Sequence, residues 1–208
     1  MNKPSRPSLI AILALLATLT VTPSSRAVEA LLLQDTYVDN GTDGGKPPPN
    51  ASNYGSGMDL RVFKGNGRLG RALLKFSLET LPPGTTAQHV AQARLRLWIN
   101  GNTTAVGGIT LKPITSEWDE YKLTGITADN LSVGSPHLQD LVIETVNNFV
   151  SIDVTQWAKA WLDGKLVNQG ILVEPAKDTD FLDLSFDSKE SIQTSHEARL
   201  EITSLNQR

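Results

Sequence analysis

The chain has 208 residues, with 19 Lys and Arg against 22 Asp and Glu, a formal net charge of −3 and no Cys. The lack of Cys excludes a disulfide scaffold, a thiolate nucleophile and a Cys-ligated zinc or iron–sulfur site. The mild net charge does not fit a nucleic-acid-binding protein, which needs a concentrated basic surface. With 39% hydrophobic and 20% charged residues, the composition is that of a globular chain.

The N-terminal segment has the three parts of a secretory signal. Lys3 and Arg6 precede an apolar run over residues 9–21, and small residues with a proline follow that run. This order predicts a secretory signal peptide over residues 1–30. The apolar run is shorter than a membrane-spanning helix, which needs about 20 residues. We therefore expect no membrane insertion once the signal is cleaved.

Two cleavage positions fit the small residues at the end of the signal, one after Ala27 and one after Ala30. Either position leaves a mature chain of the size of one ordinary domain, and we assign residues 31–208 to that domain. The predicted location is secreted, and the periplasm and the extracellular space both remain open.

Short segments of alternating apolar and polar residues, separated by turns rich in Gly and Pro, predict antiparallel strands. They cover residues 31–38, 60–64, 71–76, 93–99, 109–112, 150–154, 170–174, 182–186 and 198–203. One segment indicates a helix, because Trp157, Ala158, Trp161 and Leu162 form an apolar stripe that Gly164 ends. We predict an all-β chain: an antiparallel β-sandwich of the jelly-roll type with one short helix.

Several motifs follow one another along the chain. They lie at residues 35–38 (Asp-Thr-Tyr-Val), 53–56 (Asn-Tyr-Gly-Ser), 71–76 (Arg-Ala-Leu-Leu-Lys-Phe), 93–98 (Ala-Arg-Leu-Arg-Leu-Trp), 152–155 (Ile-Asp-Val-Thr), 168–171 (Asn-Gln-Gly-Ile) and 186–200. In this order they resemble the DNRLRE-domain family, which overlaps carbohydrate-binding module family 96 and the disaggregatase-related repeats. The resemblance implies a jelly-roll domain of secreted bacterial and archaeal proteins, some of which bind acidic polysaccharide such as alginate.

Two features depart from that family's pattern. The loop over residues 39–52 carries extra residues, and the family's Trp–Glu motif is kept only as Glu117-Trp118-Asp119-Glu120. In the family, the domain is commonly repeated or attached to an enzyme. The resemblance therefore implies a binding module and not a catalytic one.

Basic and aromatic side chains share strand faces, since residues two apart on a strand point the same way. Arg71 and Lys75 lie on one such face, and Arg94, Arg96 and Trp98 lie on another. If the two strands join one sheet, these groups cluster and suit a uronic-acid chain. Guanidinium groups pair with carboxylates, and an indole ring packs against a sugar ring. We predict these five residues as ligand contacts for an acidic polysaccharide.

Tyr54 is a further candidate contact with the sugar, and a structural role in its Asn-Tyr-Gly turn is the alternative. The five strand residues also have an alternative interpretation. Their cations can pair with Asp183, Asp187 or Glu201 on neighbouring strands, and the long loop can cover Trp98.

A structural calcium ion is a second prediction, because hard cations take about six to eight oxygen ligands from carboxylates and carbonyls on loops. Asp39 and Asp43 belong to one acidic loop, and Asp35 and Asp187 are further candidate ligands. The alternative is a solvated acidic loop that holds no ion.

Catalytic motifs are lacking: there is no nucleophile elbow, no HExxH and no phosphate-binding Gly loop. Glu117, Asp119 and Glu120 form a carboxylate cluster, but their spacing does not specify glycoside hydrolysis. The leading hypothesis is a secreted, non-catalytic carbohydrate-binding domain for an anionic polysaccharide, with no nucleic-acid partner. Two alternatives remain open. One is a structural subunit of an extracellular matrix that self-associates through its sheet edges, and the other is a small polysaccharide-degrading enzyme.

Overall fold

A computed structural model describes residues 25–42, 48–192 and 196–205. The predicted signal peptide lies outside these residues except for its last part, residues 25–30, which belongs to a strand. Asp43 of the predicted calcium site also lies outside them. Within the described ranges, no helix has the length and apolar character needed to cross a membrane.

Ten strands and two α-helices make up the described chain. The strands are β1 (Ser25–Asp39), β2 (Asp59–Gly65), β3 (Arg68–Ser77), β4 (Val90–Ile99), β5 (Gly107–Pro113), β6 (Leu138–Ile143), β7 (Asn148–Asp153), β8 (Ile171–Pro175), β9 (Leu182–Asp187) and β10 (Arg199–Leu205). The helices are α1 (Gly125–Ala128) and α2 (Thr155–Leu162), and short 3-10 turns occur at Pro49–Ala51 and Ala87–His89.

Antiparallel pairing closes six of the strands into a ring, in the order β1, β10, β4, β9, β2 and β3, with β3 pairing in turn with β1. β8, β5 and β6 extend the sheet from β3, and β7 pairs with β4. The prediction of an all-β chain is confirmed, whereas the jelly-roll sandwich stays a prediction.

Strand β1 closes this ring because it has two partners. Its first part, residues 25–30, pairs with β10, and residues 31–39 pair with β3. Both parts of β1 are thus paired within the chain.

The main core is built from alternate positions of the ring strands, and Leu74, Leu95 and Leu184 are among its fully buried members. The predicted helix is confirmed as α2, which buries Trp157 and Ala158 in this core. The helix ends before Gly164, whose φ of 68° glycine adopts without strain.

A second apolar cluster covers the outward face of β3. We call residues 114–131 the covering segment, since they pack Ile114, Trp118 and Leu123 over Leu73. The segment also contains α1, a second helix beside the one that the sequence predicts. Strand alternation places Leu73 on one face with Arg71 and Lys75, and the structure has it there. Leu73 is nevertheless fully buried, because the covering segment lies on this face.

Candidate functional site

Residues alternate along β2 and β9, so that the pair buries an apolar face in the core and turns a more polar face outward. The buried positions are Leu60, Val62, Leu182, Leu184 and Phe186. The alternate positions face outward and lie opposite one another in three pairs: Asp59 with Asp187, Arg61 with Ser185, and Phe63 with Asp183. Two clefts open on this face, one near each end of the pair.

The first cleft, which we call the basic aromatic cleft, has a volume of about 390 Å³. Its lining includes Tyr37, Asp39, Tyr54, Arg61, Phe63, Lys64, Arg68, Phe181 and Asp183. The strand register explains how residues distant in sequence meet here. Asp39, Gly70, Phe63 and Asp183 lie side by side across β1, β3, β2 and β9.

Gly70 leaves the space that the ring of Phe63 fills. A Cβ atom at this position would lie only 2.1 Å from Cε1 of Phe63, far inside van der Waals contact. The glycine is therefore required by the close approach of the aromatic ring, and the ring becomes the floor of the cleft.

Two tyrosines form one wall of the basic aromatic cleft. The rings of Tyr37 and Tyr54 stack with their centroids 4.2 Å apart and their planes 21° from parallel. Burial raises the pKa of Tyr37 to about 12, and burial also raises the pKa of Tyr54. Both phenols therefore stay neutral over the physiological pH range and present uncharged ring surface with a hydroxyl group.

The loop that carries Tyr54 is anchored to the covering segment. The amide group of Asn53 donates to the carbonyl of Glu120 at 2.7 Å and to the carbonyl of Leu123 at 2.8 Å. The Asn53 side chain also accepts from the N–H of Gly55 at 3.1 Å, which forms the tight turn that the sequence suggested. The position of Tyr54 is thus fixed by hydrogen bonds on both sides of it.

Two arginines and a lysine give this cleft its positive character. Arg61 pairs with Asp183 and Arg68 pairs with Asp39, and both guanidinium groups lie 5.5 to 5.6 Å from the centroid of the Phe63 ring. Their side chains are 41% and 47% exposed, so part of each guanidinium group faces solvent. The hydrogen bond to Asp39 raises the pKa of Arg68, which keeps it charged.

The second cleft, which we call the amide cleft, has a volume of about 350 Å³ and a different chemistry. It is lined by Met58, Asp59, Trp98, Asn100, Gly101, Asn102, Asn147, Asp187 and Ser191, and none of the described residues in this lining is a Lys or Arg. The amide nitrogen of Asn100 donates to Oδ1 of Asp59 and to Oδ1 of Asp187, at 3.0 Å in each case. The amide nitrogen of Asn102 donates to Oδ2 of Asp59 at 3.0 Å.

The predicted contacts Arg71 and Lys75 line neither cleft. The guanidinium of Arg71 pairs with Asp129 at 2.8 Å, and its side chain is only 14% exposed. The ammonium of Lys75 donates to the amide oxygen of Gln169 at 2.6 Å. Both residues lie on β3, and β2 and β9 separate β3 from β4 in the ring, so the structure does not join them with the second predicted group.

That second group lies on β4. Arg96 pairs with Glu201 at 2.8 Å, as the alternative interpretation expected, and it also lies over the ring of Phe149. Arg94 is exposed, opposite Asp153 and Glu201 in the register. Trp98 stacks on His196 with the ring centroids 4.0 Å apart and lines the amide cleft. Of the six predicted ligand contacts, Tyr54 and Trp98 are therefore the two that line a cleft.

Sequence reasoning missed Arg61, Phe63, Arg68 and Phe181. Arg61 and Phe63 alternate with the predicted core residues Leu60 and Val62, so the pattern for an outward face was present. Arg68 lies at the β2–β3 hairpin and Phe181 directly precedes β9, and only the strand order brings them to the same place.

The predicted calcium ligands are not gathered into one site among the described residues. Asp39 is held by Arg68 and by the N–H of Gly41, and Asp187 is held by Asn100. Asp35 belongs to a different group, in which carboxylate oxygens of Asp35, Glu120 and Glu190 lie within 4.8 Å of one another.

A lysine already supplies positive charge to this carboxylate group. The ammonium of Lys189 contacts Glu190, lies 2.5 Å from Glu120 and lies 4.0 Å from Asp35. Burial raises the pKa of Asp35 to about 8. Burial opposes the charge of Lys189, but its hydrogen bonds to Glu120 and Glu190 outweigh that effect and raise its pKa. The calcium ion therefore stays a prediction, since the group has its own cation.

Comparison with known families decides the class of this protein. The model of carbohydrate-binding module family 96 matches residues 27–204. The chain belongs to this family. The match confirms the resemblance to family 96 and the prediction of a non-catalytic carbohydrate-binding domain, while the DNRLRE assignment stays a prediction. A comparison with curated proteins finds no match.

Proposed function

We propose that this module binds an anionic, uronate-type polysaccharide such as alginate, and that the basic aromatic cleft holds the acidic sugar. The observation that carries the proposal is the arrangement of Arg61 and Arg68 around the ring of Phe63, beside the stacked tyrosines Tyr37 and Tyr54. This one cleft combines the two groups that a uronate requires: a donor for its carboxylate and a flat apolar surface for its ring.

The arginines have donors to spare although both are paired. A guanidinium carries five N–H groups in a planar fork, and one carboxylate uses at most two of them. Asp183 and Asp39 therefore fix the direction of the two guanidinium groups, and the exposed part of each is available to a ligand. Lys64 adds a third cation, and its ammonium donates to the carbonyl of Lys177 at 2.9 Å. Three cations against two carboxylates leave the lining with a net positive charge.

Aromatic side chains supply the second element. Phe181 lines the cleft and is 57% exposed, so its ring is accessible to a ligand. A pyranose ring packed on Phe181 or on Tyr54 would remove such surface from water. This burial contributes free energy that does not depend on salt, whereas the pairing of carboxylates with exposed guanidinium groups weakens as salt is added.

We also propose that the protein is secreted and that the signal is cleaved after Ala27 and not after Ala30. The register supports the earlier position, since Val28, Glu29 and Ala30 pair with Ile202, Glu201 and Leu200 of β10. Ala30 is buried in the main core. Cleavage after Ala30 would leave β10 without this part of its partner. N-terminal sequencing of the exported protein distinguishes the two positions.

The function is tested by affinity electrophoresis of the mature protein in gels that contain alginate, pectate, heparin, cellulose or xylan. Arg61→Lys/Arg68→Lys keeps both charges but loses the planar fork, so we expect clearly less retardation by alginate and pectate. Phe181→Ala should weaken retardation as well. Arg71→Lys is the matched control. It makes the same substitution at an arginine that lies under the covering segment and lines neither cleft.

Two outcomes would contradict the proposal. The absence of retardation by any acidic polymer would exclude the uronate ligand. Loss of retardation in Arg71→Lys but not in Arg61→Lys/Arg68→Lys would move the site to the face of β3, where the sequence first suggested it. Thermal melting of each variant separates a lost site from a lost fold.

A further inference from the structure

The two clefts lie in line on one surface. Asp59, Arg61 and Phe63 are successive outward positions of β2, with Asp59 in the amide cleft, Phe63 in the basic aromatic cleft and Arg61 between them. A strand advances about 3.3 Å per residue, so Asp59 and Phe63 are about 13 Å apart along the strand. A few linked pyranose rings span this distance, and one extended polysaccharide chain can therefore reach both clefts.

The charges of the two clefts are opposite. The basic aromatic cleft carries three cations and two carboxylates, whereas the described lining of the amide cleft carries the two carboxylates Asp59 and Asp187 and neither Lys nor Arg. The imidazole of His196 lies 3.6 Å from Asp187, and Asp59 is bound by the neutral amides of Asn100 and Asn102. A uronate placed beside Asp59 would bring like charges together with no guanidinium to separate them, which is unfavourable. A uniform polyuronate therefore suits the basic aromatic cleft but is disfavoured in the amide cleft.

The amide cleft suits hydroxyl groups instead. Asn100 holds the carboxylate of Asp59 in place from the buried side, and Asn102 and Asn147 are exposed amides that offer both donors and acceptors. A carboxylate has about four lone-pair sites, and two donors reach Asp59, so acceptor capacity remains for sugar hydroxyls. Trp98 adds apolar ring surface to the same lining.

We infer that the amide cleft binds an uncharged sugar residue of the same polymer whose acidic residue occupies the basic aromatic cleft. The preferred ligand is then a heteropolysaccharide that carries acidic and neutral residues a few rings apart, and a uniform polyuronate such as alginate binds the same surface less tightly. This inference rests on the proposed function, because the basic aromatic cleft must hold the acidic residue.

The test uses one polymer in three states of charge. Alginate is compared with alginate whose carboxyl groups have been partly reduced to alcohols, and with fully reduced alginate, by isothermal titration at fixed salt and fixed chain length. We expect partly reduced alginate to bind roughly three- to tenfold more tightly than unreduced alginate, as one or two new hydrogen bonds would give. Fully reduced alginate should bind weakest.

Asp59→Asn sharpens this test because it removes one of the two like charges. It should tighten the binding of unreduced alginate and so reduce the preference for the partly reduced polymer. Glu79→Gln is the matched control, since Glu79 is exposed and lines neither cleft. If Asp59→Asn fails to fold, Asn102→Ala serves in its place. Asn102 is exposed, and Asn102→Ala should weaken the binding of the partly reduced polymer and leave the binding of unreduced alginate unchanged.

The outcomes separate the two proposals. If every carboxyl reduction weakens binding while Phe181→Ala and Arg61→Lys/Arg68→Lys remain defective, the inference about the amide cleft is overturned and the proposed function stands. An unchanged preference in Asp59→Asn or Asn102→Ala overturns the inference as well. If none of the three polymers binds, both proposals fail.

Discussion

The outward faces of β2 and β3 both carry an arginine, yet one face is open and the other is covered. On β2 the outward row is Asp59, Arg61 and Phe63, and it borders two clefts. On β3 the row is Arg71, Leu73 and Lys75, and the covering segment lies on it. The difference is the apolar residue in the middle of the β3 row and its neighbours on the adjacent strands.

Leu73 lies between Thr36 of β1 and Leu172 of β8 in the register, and Val38 lies beside Arg71. Leu73, Leu172 and Val38 therefore form an apolar patch on the outside of the sheet, which must be removed from water. A row of cations on a strand therefore indicates a ligand face only where no apolar residues lie between and beside the cations. Apolar residues there must be buried by another segment of the chain.

The largest expected effect comes from removing that cover. Trp118 is buried, and its indole N–H donates to the carbonyl of Gln169 at 2.7 Å. Trp118→Ala should lower the free energy of unfolding by about 3–5 kcal/mol, because it empties a large buried volume. Urea denaturation gives the value. Tyr121→Ala in the same segment removes an aromatic ring that is 63% exposed, and it should change stability by less than about 0.5 kcal/mol. Equal losses in the two variants would contradict the covered-face account.

The second effect concerns Asp35, beside Glu120 of the covering segment. Its pKa of about 8 in the folded chain lies above its ordinary value of 3.8, so the folded state keeps a proton that the unfolded state loses. Stability from this group is therefore lost as the pH rises from about 4 to about 8. Asp35→Asn should match the wild type near pH 4 and exceed it above pH 8, by an amount on the order of a few kcal/mol, given about 1.4 kcal/mol per pKa unit. Denaturation at several pH values measures the difference, and a difference that does not change with pH would refute the raised pKa.

A third, smaller effect tests the open face itself. Gly70→Ala places a methyl group in the ring of Phe63, and we expect a loss of about 1–3 kcal/mol from overpacking together with weaker polymer binding. Combining it with Phe63→Ala removes the clash, so the double variant should lose less stability than the sum of the two single variants while binding stays weak. Calorimetric melting and affinity electrophoresis give both quantities. Additive losses would show that the glycine is not required by the ring.

The smallest effect on stability is expected for Phe181→Ala. Because Phe181 is more than half exposed, stability should change by less than about 0.5 kcal/mol. Affinity for an acidic polymer should fall by about tenfold, the loss expected when a ring platform is removed. Trp118→Ala and Phe181→Ala thus have opposite profiles, one losing stability and the other losing binding. A Phe181→Ala variant with full affinity would exclude this ring from the site.

Much of the fold was predictable because its signals are local. The alternation around Leu95 and Leu97 and the apolar stripe around Trp157 and Trp161 depend on neighbouring residues alone, and the structure confirms a strand and a helix there. Alternation also separated Leu60 and Val62 from their outward neighbours. Alternation does not indicate what lies on top of a face, so it did not reveal that the covering segment buries Leu73.

The clefts depend on strand order, which alternation does not contain. Tyr37, Phe63 and Phe181 are far apart in sequence and meet only because β1, β3, β2 and β9 are neighbours. Tyr54 and Trp98 were predicted from their residue types, and the structure places them in different clefts. The predicted group of Arg71, Lys75, Arg94, Arg96 and Trp98 assumed that their strands were adjacent, and two strands stand between them.

The pairing of Val28 with Ile202 has a consequence for how the chain reaches its native state. The ring of strands closes where the first strand meets the last one, across nearly the whole length of the described sequence. A loop of this size costs much conformational entropy before any closing contact forms, so chains rich in such distant pairings fold slowly. The N-terminal end of the chain also emerges first during export, so β1 must wait for β10 before it can complete its hydrogen bonds. Folding should therefore begin within the β2–β3 hairpin and its neighbours, and closure of the ring should be its last step.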